Sequence, residues 1–175
     1  AEHAGHHHET DGARAATVHA PAKDDNALFV RDYQKCILCY KCVEACGTDA
    51  QHTYAIAVAG RGFSARIATE FEAPLPDSAC VFCGNCIGVC PTNALVFKSE
   101  FEMRRDGTWD ESAQTRTNSV CPYCGVGCQI TLHVQEERVL KVTWPVESSV
   151  TSGHLCIKGR FGFRYAGGTD TEREP

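Results

Sequence analysis

This sequence has no apolar run long enough to cross a bilayer and no run of basic residues. A helical span takes about 20 consecutive apolar residues, so no membrane span is expected. Lys and Arg are scattered, and a formal charge of −5 with a pI near 5.9 argues against a nucleic-acid partner. The only local excesses are Arg104-Arg105, which reads as a solvated turn, and Lys158 with Arg160. Neither a signal peptide nor a twin-arginine leader is visible, although a chain that opens at Ala1 leaves room for a leader or a preceding domain. A large core is missing too. Hydrophobic residues make up an ordinary 43%, but each cysteine-rich piece is too small to bury much of it. Ligation must then contribute heavily to folding, and the metal-free chain is expected to be molten or unfolded.

What the chain has is cysteine: twelve in 175 residues, in three tight groups. Cys36, Cys39, Cys42 and Cys46 run as C-x2-C-x2-C-x3-C, and Cys80, Cys83, Cys86 and Cys90 repeat that spacing. Cys121, Cys124 and Cys128 are completed by Cys156 far downstream. None is left over. Three groups of four thiolates are what three 4Fe–4S clusters require.

Disulfides explain the pattern poorly. Twelve of 175 residues is about 7%, below the usual fraction of a small disulfide scaffold. Disulfide geometry also does not favour three thiols within seven residues, repeated twice. Zinc is the more serious rival, since C-x2-C is half of a four-cysteine zinc site. A zinc ribbon uses two pairs, however, and has no use for a third cysteine three residues after the second. A cube of four irons does: three close ligands wrap one face and a remote cysteine closes the last corner.

In a tandem C-x2-C-x2-C-x3-C-P arrangement the fourth cysteine serves the other cluster. The helical turn after the third ligand carries the next thiol away from its own cube. One cluster is therefore expected to take Cys36, Cys39, Cys42 and Cys90, and the other Cys80, Cys83, Cys86 and Cys46. Pro91 follows the second run, whereas Gly47 follows the first, a looser turn that accommodates the insert of residues 47–79. Gly84, Asn85 and Gly88 supply backbone room and can present N–H donors to the sulfurs.

Along the chain, residues 1–27 read as a flexible tail, with His6-His7-His8 most simply solvated. Residues 28–105 read as a tandem ferredoxin-like unit. Leu28 to Val30 is expected as a strand, Val43 to Ala45 as a helical turn, Tyr54 to Val58 and Phe63 to Ile67 as a hairpin around Gly60-Arg61-Gly62, and Ala94 to Phe97 as a closing strand. Residues 98–118 are polar and resemble a connector, with 106–118 separating the two units. Residues 119–166 hold the third group. There Ile130, Leu132 and Val134 alternate with Thr131 and His133, which predicts a half-buried strand with His133 on its outer face. Glu136-Glu137-Arg138 turns the chain, Val139 to Trp144 returns, and residues 167–175 read as a loose tail. The fold class expected is small α+β: a tandem bacterial-ferredoxin-like unit followed by a β-rich 4Fe–4S unit.

The first half resembles the tandem ferredoxin module of formate dehydrogenases, complex I relatives and iron hydrogenases. Ser119 to Cys128, followed by Cys156-Ile157-Lys158-Gly159-Arg160-Phe161-Gly162, resembles the N-terminal 4Fe–4S domain of molybdopterin oxidoreductases. The two halves together are similar to the α subunit of cytoplasmic NAD-linked formate dehydrogenases that use molybdenum or tungsten. This resemblance implies a bis-pterin guanine dinucleotide cofactor next to the third cluster, held mostly outside these residues. It implies Lys158 between that cluster and the pterin. It implies two partners, a pterin-bearing catalytic subunit or domain and a flavin-bearing, NAD-reducing diaphorase subunit, in the cytoplasm.

No complete active site is expected within the chain, and so no catalytic residue is assigned. The family's pterin domains, its plant-type 2Fe–2S region and its cluster held by one histidine and three cysteines have no counterpart here, so an excerpt or a split subunit is expected. The function implied is electron transfer between a formate-oxidising site and an NAD-reducing partner. The alternatives are a module of another molybdopterin enzyme such as a nitrate reductase, a piece of a complex I-like or hydrogenase assembly, or a standalone polyferredoxin.

Overall fold

The computed structural model describes residues 21–145 and 149–165. The expected tails, with His6-His7-His8, lie outside them, except for the last residues of the first. Three small antiparallel sheets, joined by short helices, make up the described fold. Strand β1 (Phe29–Arg31) pairs with β4 (Leu95–Phe97), with Phe29 opposite Phe97 and Arg31 opposite Leu95. Both are made of aromatic, branched and long side chains that are all buried, which suits a strand covered on two faces. This pairing brings the start of the first cysteine run beside the end of the second. Strands β2 (Ala57–Ala59) and β3 (Arg66–Ala68) form a hairpin in the insert. The expected hairpin is present but shifted toward the C-terminus: Tyr54 is left-handed (φ 53°), which breaks the strand, and a 3-10 turn occupies Gly62–Ser64.

Each cysteine run carries one short helix, α1 (Lys41–Cys46) in the first and α2 (Asn85–Gly88) in the second. The two runs have the same backbone. Leu38 and Phe82 are both left-handed (φ 53°), as are Tyr40 (φ 63°) and Gly84 (φ 71°), which precede the helices. The duplication is therefore in conformation as well as in spacing.

The polar stretch 98–118, expected as a connector, contains helix α3 (Lys98–Arg105) and the start of strand β5 (Thr115–Val120). The helix was hidden because its contacts to the rest are polar. Glu100 is 3% exposed and takes Arg104 at 2.9 Å and Lys141 at 2.6 Å. Ser99 donates its hydroxyl hydrogen to the Leu140 carbonyl at 2.7 Å. Arg104 and Lys141 also lie over the Trp109 ring, at 5.1 and 4.8 Å. Arg104 is thus part of an ion-paired helix end rather than of a turn.

Strands β5, β6 (Gln129–Gln135) and β7 (Arg138–Thr143) form a meander. Glu136 and Glu137, both at positive φ (51° and 61°), make the two-residue turn between β6 and β7. The expectation that His133 faces outward is corrected. His133 is 7% exposed and bonds Thr143 Oγ1 through Nε2 at 2.8 Å. Its neighbours on that face are buried as well: Thr131 donates to Asn118 at 2.8 Å, and Gln135 donates to the Thr108 carbonyl at 2.9 Å. The residues around Trp109 cover this face. Buried polar groups are tolerated there because nearly every one is hydrogen-bonded.

Helix α4 (Ile157–Phe161) packs the meander's end of the chain against the β1–β4 core. Phe161 stacks on Phe29 at 6.3 Å and meets Phe97 at 5.6 Å, inside the core built by Tyr33, Ile56, Ile67 and Leu75. Burying such a ring contributes about 1.5–3 kcal/mol, with about 0.5–1.5 kcal/mol more from the aromatic pairs. Among the described residues, no helix is long and apolar enough to cross a membrane.

Candidate metal centre

The β1–β4 pairing and the matched runs leave two cavities. The first, about 350 Å³ counting its mouth, is lined by Cys36, Cys39, Cys42 and Cys90, with Tyr33, Ile67, Thr92 and Leu95 around them. The second, about 420 Å³ on the same measure, is lined by Cys46, Cys80, Cys83 and Cys86, with Arg31, Thr53, Leu75 and again Leu95. Each cavity draws three thiols from one run and one from the other. The cause is local: α1 carries Cys46 away from Cys42, and the turn after α2 carries Cys90 away from Cys86.

The surroundings of the thiols also repeat. The Leu38 amide donates to Cys36 Sγ and the Phe82 amide to Cys80 Sγ, both at 3.4 Å. The last thiol of each run meets a threonine hydroxyl, Cys46 with Thr53 at 3.4 Å and Cys90 with Thr92 at 3.8 Å. Burial pushes the Cys42 thiol up to about 12, with Cys36, Cys90 and Cys39 adding to the shift. Burial also raises Cys80, Cys83 and, well above its usual range, Cys86, each helped by thiols of the same cavity. The Asn85 amide opposes the shift at Cys83. Thiols crowded into an apolar space resist becoming thiolates one by one; a polynuclear cation in the space would remove that resistance.

The third group is more open. Cys121 is buried and its amide donates to the Cys128 carbonyl at 2.8 Å, while Cys124 and Cys156 are exposed. Cys156 stands directly before α4, and a side chain built on Gly159 of that helix would meet Cys121 Sγ at 3.6 Å. The Cys156 end of the group thus approaches the Cys121 loop. Val120, Tyr123, Val126 and Ile157 lie exposed around it. Lys158 is exposed on α4, two residues beyond Cys156.

Sulfur-rich, apolar-walled cavities with amide and hydroxyl donors suit a 4Fe–4S cube, whose sulfurs accept such donors. Among the described residues no group of three or more His, Cys, Asp or Glu could hold a metal ion by itself. A cube asks for something different, since each of its four thiolates binds its own iron.

Sequence reasoning passed over Arg31 and named Arg160 only as a local basic excess and a motif member, with no role at the thiols. Arg31 is 1% exposed, pairs with Asp25 through Nη2, and leaves Nε and Nη1 without a hydrogen-bond partner. Arg160 is 0% exposed and reaches from α4 into the second run. Its Nε donates to the Cys83 carbonyl and its Nη2 to Asn85 Oδ1, each at 2.9 Å, while Nη1 is unpartnered. Burial pushes its guanidinium down to about 10, opposed by Cys86 and Cys83, which leaves it charged at neutral pH. The glycines have a related use. Tyr40 adopts the same left-handed backbone as Gly84, so conformation alone does not demand glycine at Gly84. A Cβ there would run into Arg160 Cδ, and one on Gly88 would run into the Trp144 ring. No spacing rule marks such residues; only the docked Arg160 and Trp144 side chains do.

Comparison with known proteins gives two family matches: residues 114–167 to the "Molybdopterin oxidoreductase Fe4S4 domain" and residues 35–94 to the "4Fe-4S dicluster domain". The chain is 42% identical over 151 residues to the NADPH-Fe(3+) oxidoreductase subunit alpha of Geobacter sulfurreducens, covering 86% of this chain and 17% of that protein. It is 31% identical over 149 residues to a subunit of an NADH-quinone oxidoreductase of Rhizobium meliloti, covering 85% and 16%. It is 28% identical over 180 residues to "Putative formate dehydrogenase SH0748" of Staphylococcus haemolyticus, covering 81% and 18%. The chain spans less than a fifth of the length of these curated relatives. Within this small α+β chain, residues 35–94 are similar to a 4Fe–4S dicluster domain and residues 114–167 to a molybdopterin oxidoreductase Fe4S4 domain, each match spanning about a third of the sequence.

Proposed function

We propose that this chain is an electron-transfer module holding three 4Fe–4S clusters between a molybdenum or tungsten pterin site and a nicotinamide- or flavin-bearing partner. The single observation that carries the reading is the composition of the two cavities, each lined by four thiols in the crossed sets. Cys36, Cys39, Cys42 and Cys90 hold one cluster, Cys46, Cys80, Cys83 and Cys86 the second, and Cys121, Cys124, Cys128 and Cys156 the third. When bound, each cluster supplies one-electron chemistry, taking up and releasing electrons singly. The residues of this chain fix the positions, exclude water with Leu95, Ile67 and Leu75, and supply the donors that set potentials.

The exposed apolar residues Tyr123, Val126 and Ile157 around the third group support a covering polypeptide on that side, where the pterin would lie. Lys158, exposed beside Cys156, stands between them on this reading. Formate oxidation coupled to NAD reduction in the cytoplasm is the activity proposed for the whole assembly, in line with the Staphylococcus relative's name. A second reading, an assembly that takes electrons from NADPH, is favoured by the 42% identity to the Geobacter protein.

The test is made on the native complex. Iron should approach about twelve per chain if three cubes assemble, with pterin and molybdenum or tungsten in the same sample. Formate-dependent NAD reduction separates the first activity from the second, which would show NADPH oxidation without any formate response. A colourless preparation, or zinc in place of iron, ends the electron-transfer reading.

A further inference from the structure

The two cavities match in thiols, amide donors and threonine hydroxyls, but they differ in charge. No cationic side chain lines the first. The second is lined by Arg31, and Arg160 is anchored on the carbonyl of Cys83 at its wall. Both guanidiniums are almost wholly buried, where an N–H without a partner is costly. Asp25 takes Arg31 Nη2, Cys83 and Asn85 take two Arg160 nitrogens, and Arg31 Nε, Arg31 Nη1 and Arg160 Nη1 remain. Two arginines with spare donors beside one set of four sulfurs, and none beside the other, is an asymmetry that packing alone does not require.

We propose that Arg31, seconded by Arg160, sets the potential of the cluster in the Cys46–Cys80–Cys83–Cys86 cavity and makes it the more readily reduced of the tandem pair. The inference rests on the cluster assignment above. Reduction adds one electron, supplied by a neighbouring cluster, and takes the cube with its four thiolates from two negative charges to three. The arginines keep their protons and are positioning residues, not reactants. A buried cation and N–H donors favour the more negative state, so the potential rises. Tyr33 lines the first cavity, and its buried hydroxyl lies within the influence of the Arg31 guanidinium. The cluster nearest α4 then becomes the resting place of electrons arriving from the third group.

The experiment is an EPR-monitored redox titration of the iron-loaded protein in its native complex, unaltered and as Arg31→Gln, Arg31→Lys and Arg160→Gln. In Arg31→Gln one midpoint should fall by at least a tenfold change in the reduction equilibrium, about 59 mV for one electron. The other midpoints should stay, and Arg31→Lys should recover part of the shift. Arg160→Gln should lower the same midpoint by less. No movement in either glutamine variant, or an equal fall of every midpoint, overturns the inference.

Should Arg31→Gln lose iron, the unaltered protein decides. With guanidino-15N arginine, pulsed double-resonance spectra should show 15N coupling at one reduced cluster, and its absence at all of them sinks the proposal. An unaltered protein without four-iron clusters removes the underlying assignment instead, and is recognised before any variant is made.

Discussion

His133 shows how a single residue responds when its polar group is buried. Burial, with Lys141 and Arg116 nearby, pushes its imidazole down to about 4, whereas in the unfolded chain it titrates near 6.5. Between those values the unfolded state binds more protons, so stability falls as pH drops from about 6.5 toward 4 and levels off below. The loss should be on the order of 2 kcal/mol. Denaturant titrations at a series of pH values, with His133→Gln alongside, check this. The variant should lose less stability over that window, and equal slopes would remove His133 as the cause. Which eight cysteines line the two cavities in crossed sets was legible from the spacing of the two matched runs. Arg31, Arg160 and His133 were not, because their roles come from what lies opposite them in space: Asp25 and a cavity, Cys83 and Asn85, Thr143 and the cover around Trp109.

At the level of elements, strands with strong apolar or aromatic character were visible in advance, and those held by polar contacts were not. β1, β4 and β7 follow their apolar composition. α3 escaped notice because its buried anchor is a carboxylate, Glu100, held by Arg104 and Lys141. β6 misled because its polar side chains Thr131, His133 and Gln135 are the buried ones, while Leu132 and Val134 on the apolar side are only partly so. The α3–β7 seam gives a sharp expectation. Glu100→Ala would leave Lys141 half-sequestered without its partner and should cost about 2–4 kcal/mol. A double-mutant cycle with Lys141→Met would show a large coupling term; a cost under about 0.5 kcal/mol would mean that the pair is solvated rather than structural.

Across the whole molecule the two cores depend differently on iron. The first includes Cys42 and packs against Cys36, Cys46, Cys80, Cys86 and Cys90, so its walls are the thiols themselves. The second, around Ile130, Val142 and Leu155, leans on Cys121 and Cys128 but also on seven-residue β6 and its neighbours. Removing iron with a chelator should therefore abolish amide protection in β1 and β4 first, with β6 and β7 keeping more of theirs. Hydrogen-exchange mass spectrometry reads the order, and simultaneous loss in both halves would mean one cooperative unit.

Leu95 borders both thiol-lined cavities. It is a party wall, a single aliphatic side chain shared by two chambers. Trimming or thickening it should alter the dryness of both rooms together, without removing a single sulfur. Engineers seeking to retune the speed of such a relay have, in that one residue, a dial that touches no metal.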